Sequence, residues 1–543
     1  MLKKIRLLLA IVFWIGTTLL FLDFTGTIHG WLGWMAKVQF VPAILALNAI
    51  VIIALIVLTL LFGRIYCSVI CPLGIMQDFF GWLGKMTKKN RYSYSPAKNI
   101  FRYIMLGVFI VTLFFGFASI LEPYSIYGRI AQSILAPAWQ WGNNLLASWA
   151  ENANSYAFYE KEIWLRGMPV LIFAVVSLII IAILAWRGGR TYCNTICPVG
   201  TFLGFISRFS LLKPVINIDK CNSCGLCARN CKASCIDPKS HSIDYSRCVA
   251  CMDCIGKCNK GAISYNYRRS EGAKKSSSGV KENTSRSEGV KECRSEDNSN
   301  ANNLSTRQLV NSSTDTNNLS TCQLANSSTE SNTNQLSRRS FVSLVALLTG
   351  GSILRAQEKK VDGGLAVIED KKIPERKTPL VPAGAASLKN MHNHCTGCQL
   401  CVSVCPNDVL RPSSSLSSFM QPEMSYERGY CRPECTKCSE VCPAGAIKPI
   451  TIETKSSTQI GHAVWVKENC IPLTKGDRCG LCARRCPAGA ITMIPSDPND
   501  EKSPQIPAVN EEKCIGCGAC EHLCPARPFS AIYVEGHEVH REI

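Results

Sequence analysis

Cysteine spacing constrains this chain more than any other feature. Residues 214–267 hold two runs, Cys221/Cys224/Cys227/Cys231 and Cys248/Cys251/Cys254/Cys258, each spaced x2-x2-x3. Four more runs follow: Cys395/Cys398/Cys401/Cys405, Cys431/Cys435/Cys438/Cys442, Cys470/Cys479/Cys482/Cys486 and Cys514/Cys517/Cys520/Cys524. The middle two of these widen their first gap to x3 and x8, and each fourth cysteine precedes a proline (Pro406, Pro443, Pro487, Pro525). A secreted disulfide scaffold is short and evenly cysteine-rich. Here 31 cysteines sit in tight runs within 543 residues, which excludes that class. Structural zinc sites use separated cysteine pairs rather than full x2-x2-x3 runs.

The spacing is that of bacterial two-cluster ferredoxins. Three close thiolates grip three irons of a cubane, and the same short loop does not reach the fourth. The partner motif therefore supplies the fourth ligand. This predicts one cluster on Cys221, Cys224, Cys227 and Cys258, and a second on Cys248, Cys251, Cys254 and Cys231. In this first pair Lys232 and Asn259 stand where proline usually follows. For the four later motifs, nested and sequential exchange both remain open. Six [4Fe–4S] clusters absorb 24 cysteines. Cys235 reads as structural, and no CxxCH site for covalent haem occurs. No Walker loop or Rossmann fingerprint sits in a supporting context.

Four apolar segments are long enough to span a bilayer: 5–22, 41–62, 103–121 and 168–186. The net charge of +19 lies largely beside them, which favours a membrane over a nucleic-acid partner. The N-terminus carries Lys3, Lys4 and Arg6; Arg64, Lys85, Lys88, Lys89, Arg91, Lys98 and Arg102 follow the second segment, with only Asp78 opposing. The loop at 122–167 is instead mixed in sign. Positive residues mark the cytoplasmic side, so both ends of a four-span bundle face inward.

Two of these segments run into related sequences, GRIYCSVICPLG and GRTYCNTICPVG. The bundle is therefore two related halves, each carrying a CxxxCP pair at the inner membrane surface: Cys67/Cys71 and Cys193/Cys197. Cysteines at i and i+4 share a helix face. If the halves meet, four thiolates can hold a metal or cluster; the alternative is four buried, inert thiols.

Residues 268–336 are rich in Ser, Asn and Thr and repeat internally, a composition that does not bury enough apolar surface to order a chain. Cys293 and Cys322 fall where the sister repeats have Asn283 and Arg307, so repeat drift accounts for both. At 337–356 a twin arginine, Arg338-Arg339, precedes a short apolar stretch, the pattern of a Tat export signal. No A-x-A cleavage site follows, so the segment can stay as a further anchor.

In this order the parts are recognisable. Residues 1–267 resemble the NapH family of ferredoxin-type membrane proteins, with four spans, two CxxxCP motifs, a two-cluster ferredoxin and Lys37-x-Gln39-x2-Pro42 at the start of the second span. Residues 337–543 resemble the NapG/MauM family, a twin-arginine signal followed by four [4Fe–4S] motifs. The chain looks like a fusion of the two, without the flavin-binding part of NosR-like relatives or the β-sandwich of CcoG-like ones. The resemblance implies a bacterial inner-membrane electron-transfer component of a respiratory system. It would take electrons from membrane quinol and relay them to a periplasmic redox enzyme, nitrate reductase being the best-known acceptor. His29 and Gln39 are the quinone-site candidates. The second function class is a maturation factor working through the CxxxCP thiols; a redox sensor ranks last, as no signalling domain is visible.

The expected architecture is a membrane α-helical bundle (1–213), an α+β two-cluster ferredoxin domain (214–267), a linker (268–336), the signal or anchor (337–356) and a four-cluster polyferredoxin domain (357–543). The first ferredoxin domain is expected in the cytoplasm and the second in the periplasm.

Overall fold

The computed structural model describes residues 2–23, 26–87, 92–116, 120–155, 158–164, 167–267 and 369–543. The expected linker and twin-arginine segment lie outside these residues. The chain opens with α1 (Leu2–Leu22), then the short helices α2 (Thr27–Leu32), α3 (Trp34–Lys37) and α4 (Phe40–Leu45), and the apolar α5 (Ala49–Phe62). Next come α6 (Tyr66–Val69), α7 (Pro72–Thr87) and α8 (Asn99–Phe114). Glu122 caps α9 (Pro123–Ile130) by accepting from the Tyr124 and Ser125 amides, and a π-helical turn carries the chain into α10 (Ala136–Asn152). The bundle closes with α11 (Met168–Gly188), α12 (Thr191–Thr195) and α13 (Pro198–Ser207). α5–α7 and α11–α13 are the two related halves, and in each a proline at the first turn starts the last helix, where a missing N–H costs nothing.

α1 and α11, 21 residues each, are long and apolar enough to cross a bilayer by length and composition. α5 and α8 are shorter apolar helices of 14 and 16 residues. The segment expected as one span at 41–62 is broken: Leu47 takes φ 53°, and Asn48 restarts the helix by accepting from the Val51 amide. The segment expected at 103–121 starts earlier, at Asn99, and its helix stops at Phe114, with Gly116 at φ 74°. All four helices expose large apolar side chains, among them Leu8, Ile50, Ile53, Val111, Ile179 and Ile183. Soluble monomers rarely present contiguous apolar surface of this kind.

The ferredoxin parts share one construction. β1 (Leu212–Ile216), a cysteine motif, the hairpin β2 (Ile236–Asp237) and β3 (Ser242–Ile243), a second motif and β4 (Ile263–Tyr267) follow in order, and β1 pairs antiparallel with β4 from Leu212↔Tyr267 to Ile216↔Ile263. In the C-terminal part the hairpin β5 (Leu410–Pro412) and β6 (Pro422–Met424) separates the first two motifs. There β7 (Thr458–Trp465), hairpin β8 (Ile491–Pro495) and β9 (Gln505–Val509), and β10 (Ile532–Glu542) enclose the last two, with β7 antiparallel to β10. Every sheet among the described residues has two strands. Such a scaffold supplies little hydrophobic core, and metal clusters are the usual staples.

Three bundle helices touch one ferredoxin part at one end and the other at the opposite end. At the start of α1, Lys3 pairs with Asp253 at 2.8 Å; at its end, Phe21 and Gly128 pack where the Cys398 carbonyl comes closest. At the start of α8, Arg102 Nη1 donates to Ser246 Oγ at 3.1 Å; just past its end, Gln421 Nε2 donates to the Gly116 carbonyl at 3.2 Å. Near the start of α11, Phe173 stacks edge-on with Phe419; just past its end, the Arg190 amide donates to the Lys232 carbonyl at 2.7 Å. A 21-residue helix is about 30 Å long.

Candidate metal centres

The ferredoxin-type motifs fold as loops with a repeated backbone signature. In four of them both residues flanking the second cysteine are left-handed: Ser223 and Gly225, Ala250 and Met252, Gly397 and Gln399, Gly516 and Gly518. Positive φ is costly for Ser, Ala, Met and Gln, and such strain persists where a site over-determines it. Alternating αR and αL residues turn successive amides toward one concavity, the geometry of an anion nest.

That concavity is lined by thiols from two motifs. Cys221, Cys224, Cys227 and Cys258 line one cavity of about 450 Å³. Cys231, Cys248, Cys251 and Cys254 line a second of about 400 Å³. The leftover Cys235 also faces the second, 3.5 Å from Cys231. In the C-terminal part, Cys405 joins Cys431, Cys435 and Cys438 around one cavity, and Cys486 joins Cys514, Cys517 and Cys520 around another. Cys442 is an electrostatic neighbour of Cys395, Cys398 and Cys401, and Cys524 of Cys470 and Cys482, with Cys479 beside both. The grouping is sequential rather than nested: first motif with second, third with fourth. The hairpins β2–β3, β5–β6 and β8–β9 impose it, since each folds one motif back onto the next.

The donor set fits iron–sulfur clusters. Backbone amides point at the exchanged cysteines, from Ala262 to Cys258 Sγ at 3.2 Å, Ile447 to Cys442 at 3.5 Å, Ala490 to Cys486 at 3.3 Å and Ala531 to Cys524 at 3.3 Å. Hydrogen bonds to sulfur tune cluster potential. Burial pushes Cys251 and Cys517 up to about 12, so as free thiols they stay protonated at neutral pH. Metal binding then supplies the thiolates and releases the protons.

Contacts link the C-terminal groups to the bundle and to one another. Tyr124 of α9 neighbours Cys398 and Cys442, so the first group adjoins the bundle. The Cys431 amide donates to the Cys517 carbonyl at 2.9 Å, joining the second group to the one on Cys514, Cys517 and Cys520. The group of Cys470, Cys479, Cys482 and Cys524 shares its two motifs with that unit.

The CxxxCP pairs do meet, with thiols of the two halves as electrostatic neighbours. Cys67, Cys71, Cys193 and Cys197 are only 3–4 % exposed and belong to one core cluster. The arginines of the two GR-x-x-C repeats cross over: Arg64 donates to the Cys193 carbonyl at 3.0 Å, and Arg190 to the Cys67 carbonyl. Gly74 and Gly200 make room, since a Cβ on either would strike that carbonyl and the crossing guanidinium. Gln77 Nε2 approaches Cys193 Sγ at 3.2 Å, and the Gly200 amide approaches Cys197 Sγ at 3.3 Å. Sequence reasoning missed the arginines, although both stand at the same place in the repeat.

Gln39 is fully buried beside this site and accepts from the Tyr66 hydroxyl at 3.1 Å. His29 lies on α2 with Nδ1 3.2 Å from Asp23 Oδ2, near Lys437. The structure therefore assigns these two candidates to different surroundings. Cys293 and Cys322 lie outside the described residues.

Comparison with known proteins bears on this arrangement. The family described as "4Fe-4S binding domain" matches residues 44–91 and 170–217, which hold the two CxxxCP pairs. The family described as "4Fe-4S dicluster domain" matches residues 394–446, which hold the first motif pair, and 476–527, which hold the second pair apart from Cys470. The methylamine utilization ferredoxin-type protein MauM of Methylobacillus flagellatus is 31% identical over 199 residues, 35% of this chain and 76% of the relative. The chain belongs to the MauM family of ferredoxin-type proteins. MauM of Methylophilus methylotrophus is 34% identical over 172 residues, 30% of this chain and 72% of the relative. The ferredoxin-type protein NapH of Escherichia coli is 26% identical over 242 residues, 43% of this chain and 72% of the relative. No solved structure matches. The chain is thus a NapH/MauM-like iron–sulfur electron-transfer protein carrying [4Fe–4S] domains.

Proposed function

We propose that this protein carries electrons across the bacterial inner membrane, from quinol to a redox enzyme on the periplasmic side. The observation that carries this reading is the contact of α1, α8 and α11 with one ferredoxin part at each end. In this reading four segments span the bilayer, residues 214–267 lie inside, and residues 357–543 lie outside after export by the twin-arginine route. Exposed apolar faces on α5 and α8 support spans there despite their shorter helices.

Six [4Fe–4S] clusters supply one-electron transfer when bound. Their ligands are the two groups exchanged between Cys221–Cys231 and Cys248–Cys258, and the four sequential groups of the C-terminal part. The contact of Tyr124 with the Cys395/Cys398/Cys401/Cys442 group gives electrons an exit from the bundle into the C-terminal part. A nitrate-reductase-type enzyme is the acceptor class that the NapH resemblance suggests. A maturation role, with CxxxCP thiols handing metal or electrons to another protein, gains support from the gathering of four thiols. Their burial argues against direct contact with a client.

The test is protease accessibility in intact spheroplasts, comparing wild type with Arg338→Lys plus Arg339→Lys. Digestion of residues 369–543 from outside only in the wild type is the expected result. Protection in both would make the relay cytoplasmic and sink periplasmic delivery.

A further inference from the structure

Six arginines are buried among the described residues, and five of them have an acceptor. Arg6 and Arg190 donate to Asp78, Arg64 to three oxygens, Arg102 to Ser246 and Arg247 to Asp244. Arg129 on α9 is the sixth. It is 1 % exposed, and its Nε, Nη1 and Nη2 all lack a hydrogen-bond partner among the described residues. The neighbouring Glu122 carboxylate is turned instead to the Tyr124 and Ser125 amides, and Tyr192 gives its hydroxyl to the Leu121 carbonyl. The guanidinium lies over the Phe173 ring, 5.3 Å from its centroid. A ring face returns less than the desolvation of a buried ion takes. Tyr124, five residues earlier on the same helix, repeats the pattern: it is fully buried, and its hydroxyl has no partner among the described residues.

Position indicates what these donors face. A Cβ on Gly128, the residue before Arg129, would strike the Cys398 carbonyl, so this stretch of α9 is pressed against the first C-terminal motif. Arg129 is an electrostatic neighbour of Cys398, and Tyr124 of Cys398 and Cys442. Phe173, under the guanidinium, meets Phe419 of the C-terminal part edge-on at 6.3 Å. Both orphaned donors therefore adjoin one group, that of Cys395, Cys398, Cys401 and Cys442, whose thiols become anionic when they ligate iron. A cluster on four thiolates is negative and gains one more negative charge on reduction, with no bond made or broken. A fixed positive charge in a dry site favours the reduced form, and hydrogen bonds to sulfur act in the same direction.

We propose that α9 sets the reduction potential of the cluster on Cys395, Cys398, Cys401 and Cys442, with Arg129 as its buried countercharge and Tyr124 as a hydroxyl donor toward its sulfurs. Neither residue ligates iron; both act on the cluster from the bundle. The bundle thereby raises the potential at the point where electrons pass into the C-terminal part. The assignment rests on the sequential grouping of the later motifs and on no choice of electron donor, acceptor or membrane side.

The test is a mediated redox titration of the full chain, purified anaerobically and followed by electron paramagnetic resonance. Cys398→Ser identifies the signal of this cluster by its loss. Arg129→Met and Arg129→Gln are expected to keep the wild-type iron and sulfide content and to move that signal alone to lower potential. Arg129→Lys should hold it near the wild-type value, and Tyr124→Phe should lower it by less. An unchanged potential in both neutral Arg129 variants, an equal shift of every signal, or a lysine variant that behaves like the methionine one would overturn the proposal. If neither neutral variant accumulates with all its iron, Tyr124→Phe, which keeps its ring against Phe21, decides the matter: a potential that does not move overturns the assignment. An error in the grouping shows differently, since Cys442→Ala would then leave the signal that Cys398→Ser removes.

Discussion

Asp78 gathers the cations that join the bundle to the first ferredoxin part. Its carboxylate receives Arg190, Arg6 at 3.2 Å and Lys232 at 3.0 Å, and Lys232 also reaches Asp253 at 3.2 Å. Asp78→Asn leaves three cations in a nearly dry site with one carboxylate fewer. Breaking a buried pair of this type costs about 3–5 kcal/mol. We expect a lower melting temperature in detergent and faster proteolysis between α13 and β1; an unchanged melt would show the network to be dispensable. Burial alone would raise Asp253, but Lys232 and Lys3 outweigh it and hold its carboxyl at about 2. A depressed carboxylate contributes stability above its unfolded pKa of about 3.9 and loses it as pH falls toward about 2. Melting should therefore be insensitive to this group from about pH 5 upward, and a drop near neutrality would contradict the assignment. Gly200 tests the crossing arginines: a Cβ there meets the Cys193 carbonyl and Arg64. Gly200→Ala should cost about 1–3 kcal/mol in the same melt. Gly107→Ala on α8 meets nothing within 4 Å and should cost nothing.

Among the elements, the hairpins decide which cysteines share a cluster. A motif's three leading cysteines are read directly from spacing, since their loop is local. The fourth ligand depends on how the chain returns, and β2–β3, β5–β6 and β8–β9 each return it to the adjacent motif. Cys442→Ala should thus disturb the cluster on Cys395, Cys398 and Cys401, and Cys258→Ala the one on Cys221, Cys224 and Cys227. Spectroscopy of single-cluster signals checks this; a disturbance confined to the motif that carries the substitution would refute the exchange. The helix expected across 41–62 fails for a comparable reason. Its apolar run is continuous, but Asn48 offers a side-chain cap that hydropathy does not register, and the chain breaks there.

For the whole molecule, attachment of the C-terminal ferredoxin part to the bundle relies on buried contacts more than on charge. Gln421 Nε2 donates to the Gly116 and His392 carbonyls, at 3.2 and 3.0 Å, from a nearly dry site. Arg428 pairs with Glu162 at the rim, where the Glu162 side chain is 62% exposed. Rim pairs of this kind contribute about 0–1 kcal/mol. Arg428→Ala should leave the melting temperature within about 2 °C of wild type, whereas Gln421→Ala, which strips the buried donor, should lower it measurably. Equal effects of the two would reverse this ranking.

By itself the sequence determined the ligand types, the three leading cysteines of every motif, the two-fold repeat and the presence of apolar helices. These depend on spacing and composition within a few residues of one another. Only the tertiary structure decided that exchange is sequential, that Cys67, Cys71, Cys193 and Cys197 come together, and that Arg64 and Arg190 cross between halves. It also decided that the two ferredoxin parts abut opposite ends of α1, α8 and α11. Each of these depends on packing between segments more than a hundred residues apart or on a chain return set by hairpin register, and neither leaves a local pattern to read.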